Sequence, residues 1–357
     1  MRIAIDISQV IYETGVSWYT RNLIEHLLEV DKENEYLFFG GSLRRLGELK
    51  AYSRRLKGNF ETRFSLISPG VADILWNRLH VFKIENLTGK IDILHSSDWS
   101  EPPSKAFKVT TVHDLAPFKF PQLTHPKIIA VHKRKLELVK KEVDRVIVPS
   151  GATKKDLVEM GVSKEKIRVI PEAPDEIFRR VSKEEITAVK NKYRINGNYL
   201  FSIGVGGRKN TDRIMAAFEN LKGENLKLVF VGRGNGFEEK RGVRFLGHIP
   251  FEDLPALYSG SEALLYPSLY EGFGLPILEA FVCGTPVVTS NLSSMPEVAG
   301  DAAVLVNPKD VDSITAGIKK ALQNRKELVR KGLKRVKEFS WEKTAVETLA
   351  VYNEAEG

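Results

Sequence analysis

The sequence predicts an α/β protein built from two Rossmann-like domains, and three observations carry that prediction. A chain of 357 residues is too long for one ordinary core. Strand-length apolar runs alternate with helix-length amphipathic stretches from Arg2 to Ile170. The alternation stops at Pro171-Glu172-Ala173-Pro174-Asp175 and restarts at Tyr199. Glycine-rich turns follow several of these runs, at the strand ends where open parallel sheets bind ligands. The double-proline hinge sets the expected division into domains 1–171 and 172–337.

Residues 2–7 form the first strand. The loop Glu13-Thr14-Gly15-Val16-Ser17 leads into a helix in which Tyr19, Leu23, Leu27 and Leu28 recur at helical spacing. Tyr36–Phe39 is the next strand. Residues 43–57 set Leu43, Leu46, Leu49 and Leu56 among Arg44, Arg45, Lys50, Arg54, Arg55 and Lys57. This is one basic amphipathic helix or two short ones: a surface helix packed by its leucines, or a face lying on an anionic membrane. Residues 71–84 are helical, with Trp76 and Phe82 assigned to the core or a cleft wall. Ile91–His95 and Lys108–Val112 are strands whose ends, at His95-Ser96-Ser97-Asp98-Trp99 and His113-Asp114-Leu115, reach the same sheet edge. His113 is there structural or a ligand contact. Asp114 caps the next turn or meets an acceptor hydroxyl. Arg145–Val148 feeds a helix capped by Ser150 or Thr153, and Ile167–Ile170 is the last strand before the hinge.

A charged helix over 182–194 opens the second domain. After the strand Tyr199–Ile203, Gly204-Val205-Gly206-Gly207-Arg208-Lys209-Asn210 leads into the helix of Met215, Ala216 and Phe218. The glycines allow close backbone approach, and Arg208 and Lys209 put positive charge at a helix start. The segment is a pyrophosphate cradle or a glycine turn with two exposed cations. Leu226–Val231 ends in Gly232-Arg233-Gly234-Asn235-Gly236, which lacks the spaced third glycine of a dinucleotide fingerprint. Val243–Leu246 runs into Gly247-His248-Ile249. Ala263–Tyr266 leads to the stretch that organises the chain, Glu271-Gly272-Phe273-Gly274-Leu275-Pro276-Ile277-Leu278-Glu279. Glycines followed by proline predict a loop over 271–275, a short helix over 276–283 with Pro276 at its first position, and Gly284 as its left-handed stop. N–H groups at that helix start favour phosphate, whereas Glu271 and Glu279 can only accept and so suit sugar hydroxyls. The plainer reading leaves Glu271 in solvent and Glu279 responding to the helix dipole. Donors for phosphates beside acceptors for hydroxyls are what a nucleotide sugar requires. Residues 311–335 are a Lys/Arg-rich helical run. Ser340 opens a terminal helix with the stripe Trp341, Ala345, Leu349 and Tyr352.

Two glutamates with seven residues between them, in the run EGFGLPILEA with CGTPVV after it, resemble the signature of the retaining glycosyltransferases of family four. The passages WYTRNL, TVHDLAPFKFP and SNLSSMPE are similar to segments of the same family, the first two to its mannosyltransferase-like members. The resemblance implies the GT-B fold: two Rossmann-like domains facing across a cleft, with the last helix (338–357) crossing back to the N-terminal domain. It implies metal-independent transfer of a hexose from a nucleotide diphosphate sugar, GDP-mannose first and UDP-glucose or another UDP-sugar next, to a hydroxyl of a glycan or lipid-linked acceptor. His113 would contact the donor sugar, Glu271 its hydroxyls and Glu279 the ribose. Arg208, Lys209 and the backbone at Gly272, Phe273, Gly274 and Leu275 would meet the diphosphate. Gly15, Gly204, Gly206, Gly232, Gly247 and His248 would border the donor. Gly15 stands alone where relatives carry a glycine pair, and Val205 and Gly207 replace the family's usual Thr or Arg and its Pro.

The single cysteine, Cys283, excludes an internal disulfide and a thiolate metal cluster. No D-x-D arrangement stands at a strand end, so neither metal nor cofactor is expected. The net charge of +8 is uneven: residues 1–171 hold 28 Lys and Arg against 21 Asp and Glu. That tilts the acceptor toward a lipid-linked glycan and admits an anionic membrane surface as a partner. No signal peptide and no spanning helix is apparent, so the expected location is cytoplasmic, with peripheral contact at the inner face of the membrane. Two other classes compete. One is a sugar-nucleotide epimerase or phosphorylase on the same fold. The other is a basic nucleic-acid-binding protein, which leaves the glutamate loop without a role.

Overall fold

The computed structural model describes residues 1–221, 225–232, 234, 237 and 239–356. The chain divides into two units: Met1–Glu172 together with the segment from Trp341 on, and Ala173–Ser340.

The first unit holds an all-parallel sheet of β1 (Arg2–Asp6), β2 (Glu35–Gly41), β3 (Phe60–Ser65), β4 (Ile93–Ser96), β5 (Phe107–Thr111), β6 (Arg145–Val148) and β7 (Ile167–Val169). Its order is β3-β2-β1-β4-β5-β6-β7, so the chain reverses direction across the sheet between β1 and β4. The second unit repeats the plan with β8 (Asn198–Ile203), β9 (Leu226–Val231), β10 (Val243–Phe245), β11 (Ala263–Tyr266), β12 (Val287–Ser290) and β13 (Val304–Val306). Its order, β10-β9-β8-β11-β12-β13, reverses between β8 and β11. Such switch points open a crevice at the carboxyl ends of the strands.

Strands buried on both faces need apolar residues at nearly every position. Alternate residues of the second sheet accordingly feed two cores. Phe201, Val229, Leu264 and Val287 pack with Ile277, Leu278 and Phe281 of the helix Leu275–Val282. Leu200, Leu228, Leu265 and Val288 pack with Ile214 of Thr211–Glu219 and Ile314 and Ile318 of Val311–Gln323.

The terminal helix Trp341–Asn353 joins the first unit. Trp341 packs edge-on against Tyr19 of the helix Gly15–Val30, ring centroids 5.6 Å apart. The buried Tyr352 hydroxyl lies 2.6 Å from His95 Nδ1. Burial pushes the His95 imidazole down to about 3, so it is neutral at physiological pH. Thr344 and Thr348 share the buried face with Trp341, Ala345 and Tyr352, whereas Leu349 is only half-buried. The threonines fit because their hydroxyls bond to backbone carbonyls, Thr344 to Pro171 and Thr348 to Thr344.

Several elements differ from the sequence reading. The basic stretch forms only the short helix Leu46–Ser53; Leu49 is buried, but Leu43 lies outside the helix and is 63% exposed. Residues 71–84 are helical only to Arg78, through a helix Pro69–Ala72 and a π-turn Asp73–Arg78. His80 and Phe82 then take positive φ, and Phe82 is 39% exposed rather than a core residue. The Lys/Arg-rich run breaks at Asn324 into Val311–Gln323 and Arg325–Arg335. The strand β3 (FETRFS) and the helix Pro126–Glu142 carried weak signals, the first half-polar and the second mostly lysine and apolar residues without a clean stripe.

Candidate active site

The site in the second unit is assembled from turns at the carboxyl edge of its sheet. The Gly204 N–H donates to the Val231 carbonyl (2.7 Å) and the Gly232 N–H to the Gly247 carbonyl (2.8 Å), linking the turns after β8, β9 and β10. A Cβ on Gly232 would lie 3.1 Å from Gly204 Cα, and Gly232 has φ +127°, so a side chain there has neither room nor a relaxed backbone. Arg233, Asn235 and Gly236 of this loop lie outside the described residues. His248 is exposed beside Gly247. Asn210 locks the first turn in place, its Nδ2 donating to the carbonyls of Pro267 (2.9 Å) and Pro308 (2.6 Å).

This scaffold brings Arg208 and Lys209, just after β8, onto Glu271, just after β11, at the point where strand order reverses. Arg208 Nη1 donates to Glu271 Oε2 at 2.8 Å and to the Tyr270 carbonyl at 2.7 Å. Lys209 Nζ donates to Glu271 Oε1 at 2.7 Å and to the Tyr266 hydroxyl at 2.9 Å, and sits 4.8 Å from the centre of the Tyr266 ring. Glu271 is therefore buried, not exposed, with a cation on each oxygen. Burial alone would raise its carboxyl. Lys209, then Arg208, more than reverse that and hold it at about 2. Two cations around one carboxylate leave a net positive charge at the sheet edge, which suits a polyanion.

The loop after Glu271 is clamped from below. Ser293 Oγ donates to the Glu271 carbonyl (2.6 Å), and Ser294 Oγ reaches the carbonyls of Glu271 (2.9 Å) and Phe273 (2.6 Å). Gly274 takes φ +112° and caps Leu275–Val282 with no side-chain cap of its own. The helix starts one residue earlier than Pro276, which occupies its second position, and Gly284 is left-handed as expected. Gly272 and Phe273 are buried in this loop. Glu279, one turn inside the helix, accepts from the Tyr258 hydroxyl at 2.5 Å. Burial lifts its carboxyl to about 7, against the pull of Tyr258, with Asp175 adding to the rise.

In the first unit, His113 Nδ1 lies 3.1 Å from Glu172 Oε1, and Tyr19 packs edge-on to the imidazole at 4.5 Å. Burial opposes the charged ring, but Glu172 outweighs it and raises His113 above its ordinary value. With Glu172 accepting from Nδ1–H, Nε2 has no hydrogen-bond partner among the described residues. Gly15 is the first residue of its helix, after the cap Thr14, and a Cβ there would meet nothing within 4 Å.

A family model described as "Glycosyltransferase Family 4" matches residues 14–176, and one described as "Glycosyl transferases group 1" matches residues 183–337. The O-antigen chain mannosyltransferase B of Escherichia coli is 33% identical over 282 residues, which is 73% of this chain and 74% of that one. The chain belongs to the family-four glycosyltransferases. The MMP alpha-(1->4)-mannosyltransferase of Mycolicibacterium hassiacum is 32% identical over 61% of this glycosyltransferase and 56% of its own length. Sucrose-phosphate synthase from Thermosynechococcus elongatus shares the fold, with a TM-score of 0.75 over 99% of this chain and 98% of that one, at 19% identity.

Several residues of this glycosyltransferase's site were not assigned from sequence: Tyr258, Tyr266, Asn210, Ser293, Ser294 and Glu172. The tyrosines stand on core elements, where a ring reads as packing until its hydroxyl finds a carboxylate or an ammonium. Ser293 and Ser294 lie in the SNLSSMPE turn, but their work is on backbone carbonyls about twenty residues away. Among the described residues no group of three or more His, Cys, Asp or Glu stands ready to hold a metal, and no helix is long and apolar enough to cross a membrane.

Proposed function

We propose that this glycosyltransferase moves a hexose from a nucleotide diphosphate sugar to a hydroxyl of a glycan or lipid-linked acceptor, with retention at the anomeric carbon and GDP-mannose as donor. The observation that carries the donor reading is the Arg208–Glu271–Lys209 cluster at the switch point. As the bond from the sugar C1 to the β-phosphate oxygen breaks, charge grows on the departing diphosphate. Arg208, Lys209 and the N–H groups at Phe273, Gly274 and Leu275 meet it with positions already set by packing. Glu271 keeps the two cations apart and in register and takes donor-sugar hydroxyls. Glu279 takes the ribose. His113 is assigned to the donor sugar, its ring oriented by Glu172. Protein cations do the neutralising in this scheme, so transfer continues in the presence of a chelator.

The Escherichia coli and Mycolicibacterium hassiacum relatives support mannose as the sugar, since both are mannosyltransferases by name. The basic charge of residues 1–171 supports a lipid-linked acceptor and work at an anionic, cytoplasmic membrane face. The test is a thermal-shift screen of GDP-, UDP- and ADP-sugars, followed by transfer assays with the nucleotide sugar that stabilises most. A shift confined to GDP-mannose is expected. No shift with any nucleotide sugar refutes the donor reading. Donor turnover that needs no acceptor, or that needs inorganic phosphate, replaces transfer with epimerase or phosphorylase chemistry.

A further inference from the structure

Two side chains fix the His113 ring, and both lead back to the terminal helix Trp341–Asn353. One is Glu172, whose Oε1 lies 3.1 Å from His113 Nδ1. The other is Tyr19, whose ring packs edge-on to the imidazole with centroids 4.5 Å apart. We propose that the terminal helix is a positioning element for His113, and that Thr344 is the positioning residue that keeps the Glu172 carboxylate on the imidazole. Its part in transfer rests on the reading in which His113 meets the donor sugar.

The hinge gives Glu172 little support of its own. The backbone leaves the sheet at Ile170, whose N–H donates to the Val148 carbonyl (2.9 Å). Beyond it, Pro171 and Pro174 have no N–H to give. The Pro171 carbonyl, one residue before Glu172, accepts from the Thr344 hydroxyl at 2.8 Å. Thr344 and Glu172 are both buried, so the bond is shielded from water and its loss would leave a buried carbonyl wanting. The Tyr19 ring rests on Trp341, with centroids 5.6 Å apart. The Tyr19 hydroxyl lies 3.4 Å from Thr111 Oγ1, which lies 2.9 Å from His95 Nε2, and His95 Nδ1 meets the Tyr352 hydroxyl. Trp341, Thr344 and Tyr352 are buried on one face of the helix, so a single rigid element reaches the surroundings of His113 by three routes.

What this hold decides is the proton on the ring. With Nδ1–H given to Glu172, Nε2 accepts when the ring is neutral and donates only in the imidazolium. Burial opposes that charge, Glu172 outweighs burial, and Asp98 and Asp114 add to the rise. Asp6, Tyr19 and His95 face the ring on one side, and His132 and Lys135 on another. Burial keeps both of these histidines neutral and disfavours the Lys135 ammonium. The Nε2 donor is present below the raised value and is lost as pH rises through it. A Glu172 that drifts from Nδ1 therefore loses the donor at a lower pH.

The test follows the histidine ring signals of the full-length protein by NMR against pH, without donor or acceptor, with His113→Asn to identify the His113 signal. Thr344→Val keeps the side-chain shape without the hydroxyl, and Thr344→Ala removes the hydroxyl in a second way. Both, and Glu172→Gln, should lower the His113 midpoint by about 0.5 or more, a roughly threefold weaker hold on the proton. Thr344→Ser keeps the hydroxyl and should restore the wild-type midpoint. Val351→Ala loosens the same helix at a buried position two turns beyond Thr344 and should leave the midpoint in place, with stabilities compared by denaturant titration. In transfer assays the alkaline limb of kcat against pH should move down with the midpoint. A midpoint unmoved by both Thr344→Val and Thr344→Ala, or moved as far by Val351→Ala, overturns the proposal. The titration needs neither donor nor turnover, so its failure is separate from a failure of the transferase reading.

Discussion

Replacing Glu271 by glutamine keeps the shape of the side chain and removes the charge that Arg208 and Lys209 share. The magnitude follows from its ionisation. The carboxyl is held at about 2 against an ordinary 4.5, which corresponds to about 3 kcal/mol of stability carried by the ionised form at neutral pH. The sign follows from the direction of the shift. A depressed carboxyl contributes fully above its unfolded value and loses that contribution as pH falls toward the folded one. Scanning calorimetry of wild type and Glu271→Gln should therefore show a Tm gap of roughly 6–12 °C in the transition of the second unit at pH 7, taking about 2–4 °C per kcal/mol for a unit of this size. The gap should persist to about pH 5, narrow below that, and close as pH falls through about 2. A nucleoside diphosphate bound to the two cations should restore part of it. A gap of the same size at pH 3.5 and pH 7, or none at pH 7, refutes the claim that charge rather than shape holds Glu271 in place.

Lys209→Ala removes a charged donor to the diphosphate and should weaken nucleoside diphosphate binding roughly 10- to 100-fold by isothermal titration, with transfer lost. Glu279→Gln tests the ribose contact. With the carboxyl raised to about 7, wild type should bind nucleoside diphosphate more tightly as pH rises from 6 to 8, because the better acceptor is the ionised form. The glutamine variant should show a flat profile over that window, and parallel profiles would remove Glu279 from the ribose. Tyr352→Phe leaves His95 Nδ1 unsatisfied in the first unit and should cost about 1–3 kcal/mol in denaturant titration; an unchanged midpoint would show that this buried bond contributes nothing to stability.

The two rounds of βα alternation, the break at Pro171–Asp175 and the stretch from Glu271 to Glu279 were legible in one dimension, because each is written in neighbouring residues. An apolar run is short enough to read as a strand. Glycine and proline act on the backbone where they stand, as at Gly274 and Gly284. The same locality failed for β3, whose ladder with β2 pairs Phe60 with Tyr36 and needs the intervening chain to fold back. It failed for the core placement of Phe82 too, where apolar character suggested burial and a positive-φ turn left the ring partly in water.

Residue identity alone could say that Arg208, Lys209 and Glu271 are the kinds of groups a nucleotide sugar needs. It could not say that the carboxylate would be buried with a cation on each oxygen, since those partners are 63 and 62 residues away in the chain. Their meeting is a product of strand order: β8 and β11 are neighbours only because the second sheet reverses direction between them. The same holds for Glu172 beneath His113 and for the serines under the loop. Local sequence sets which backbone conformations and side chains are present, whereas charge state and hydrogen-bond satisfaction depend on distances that only the folded chain defines.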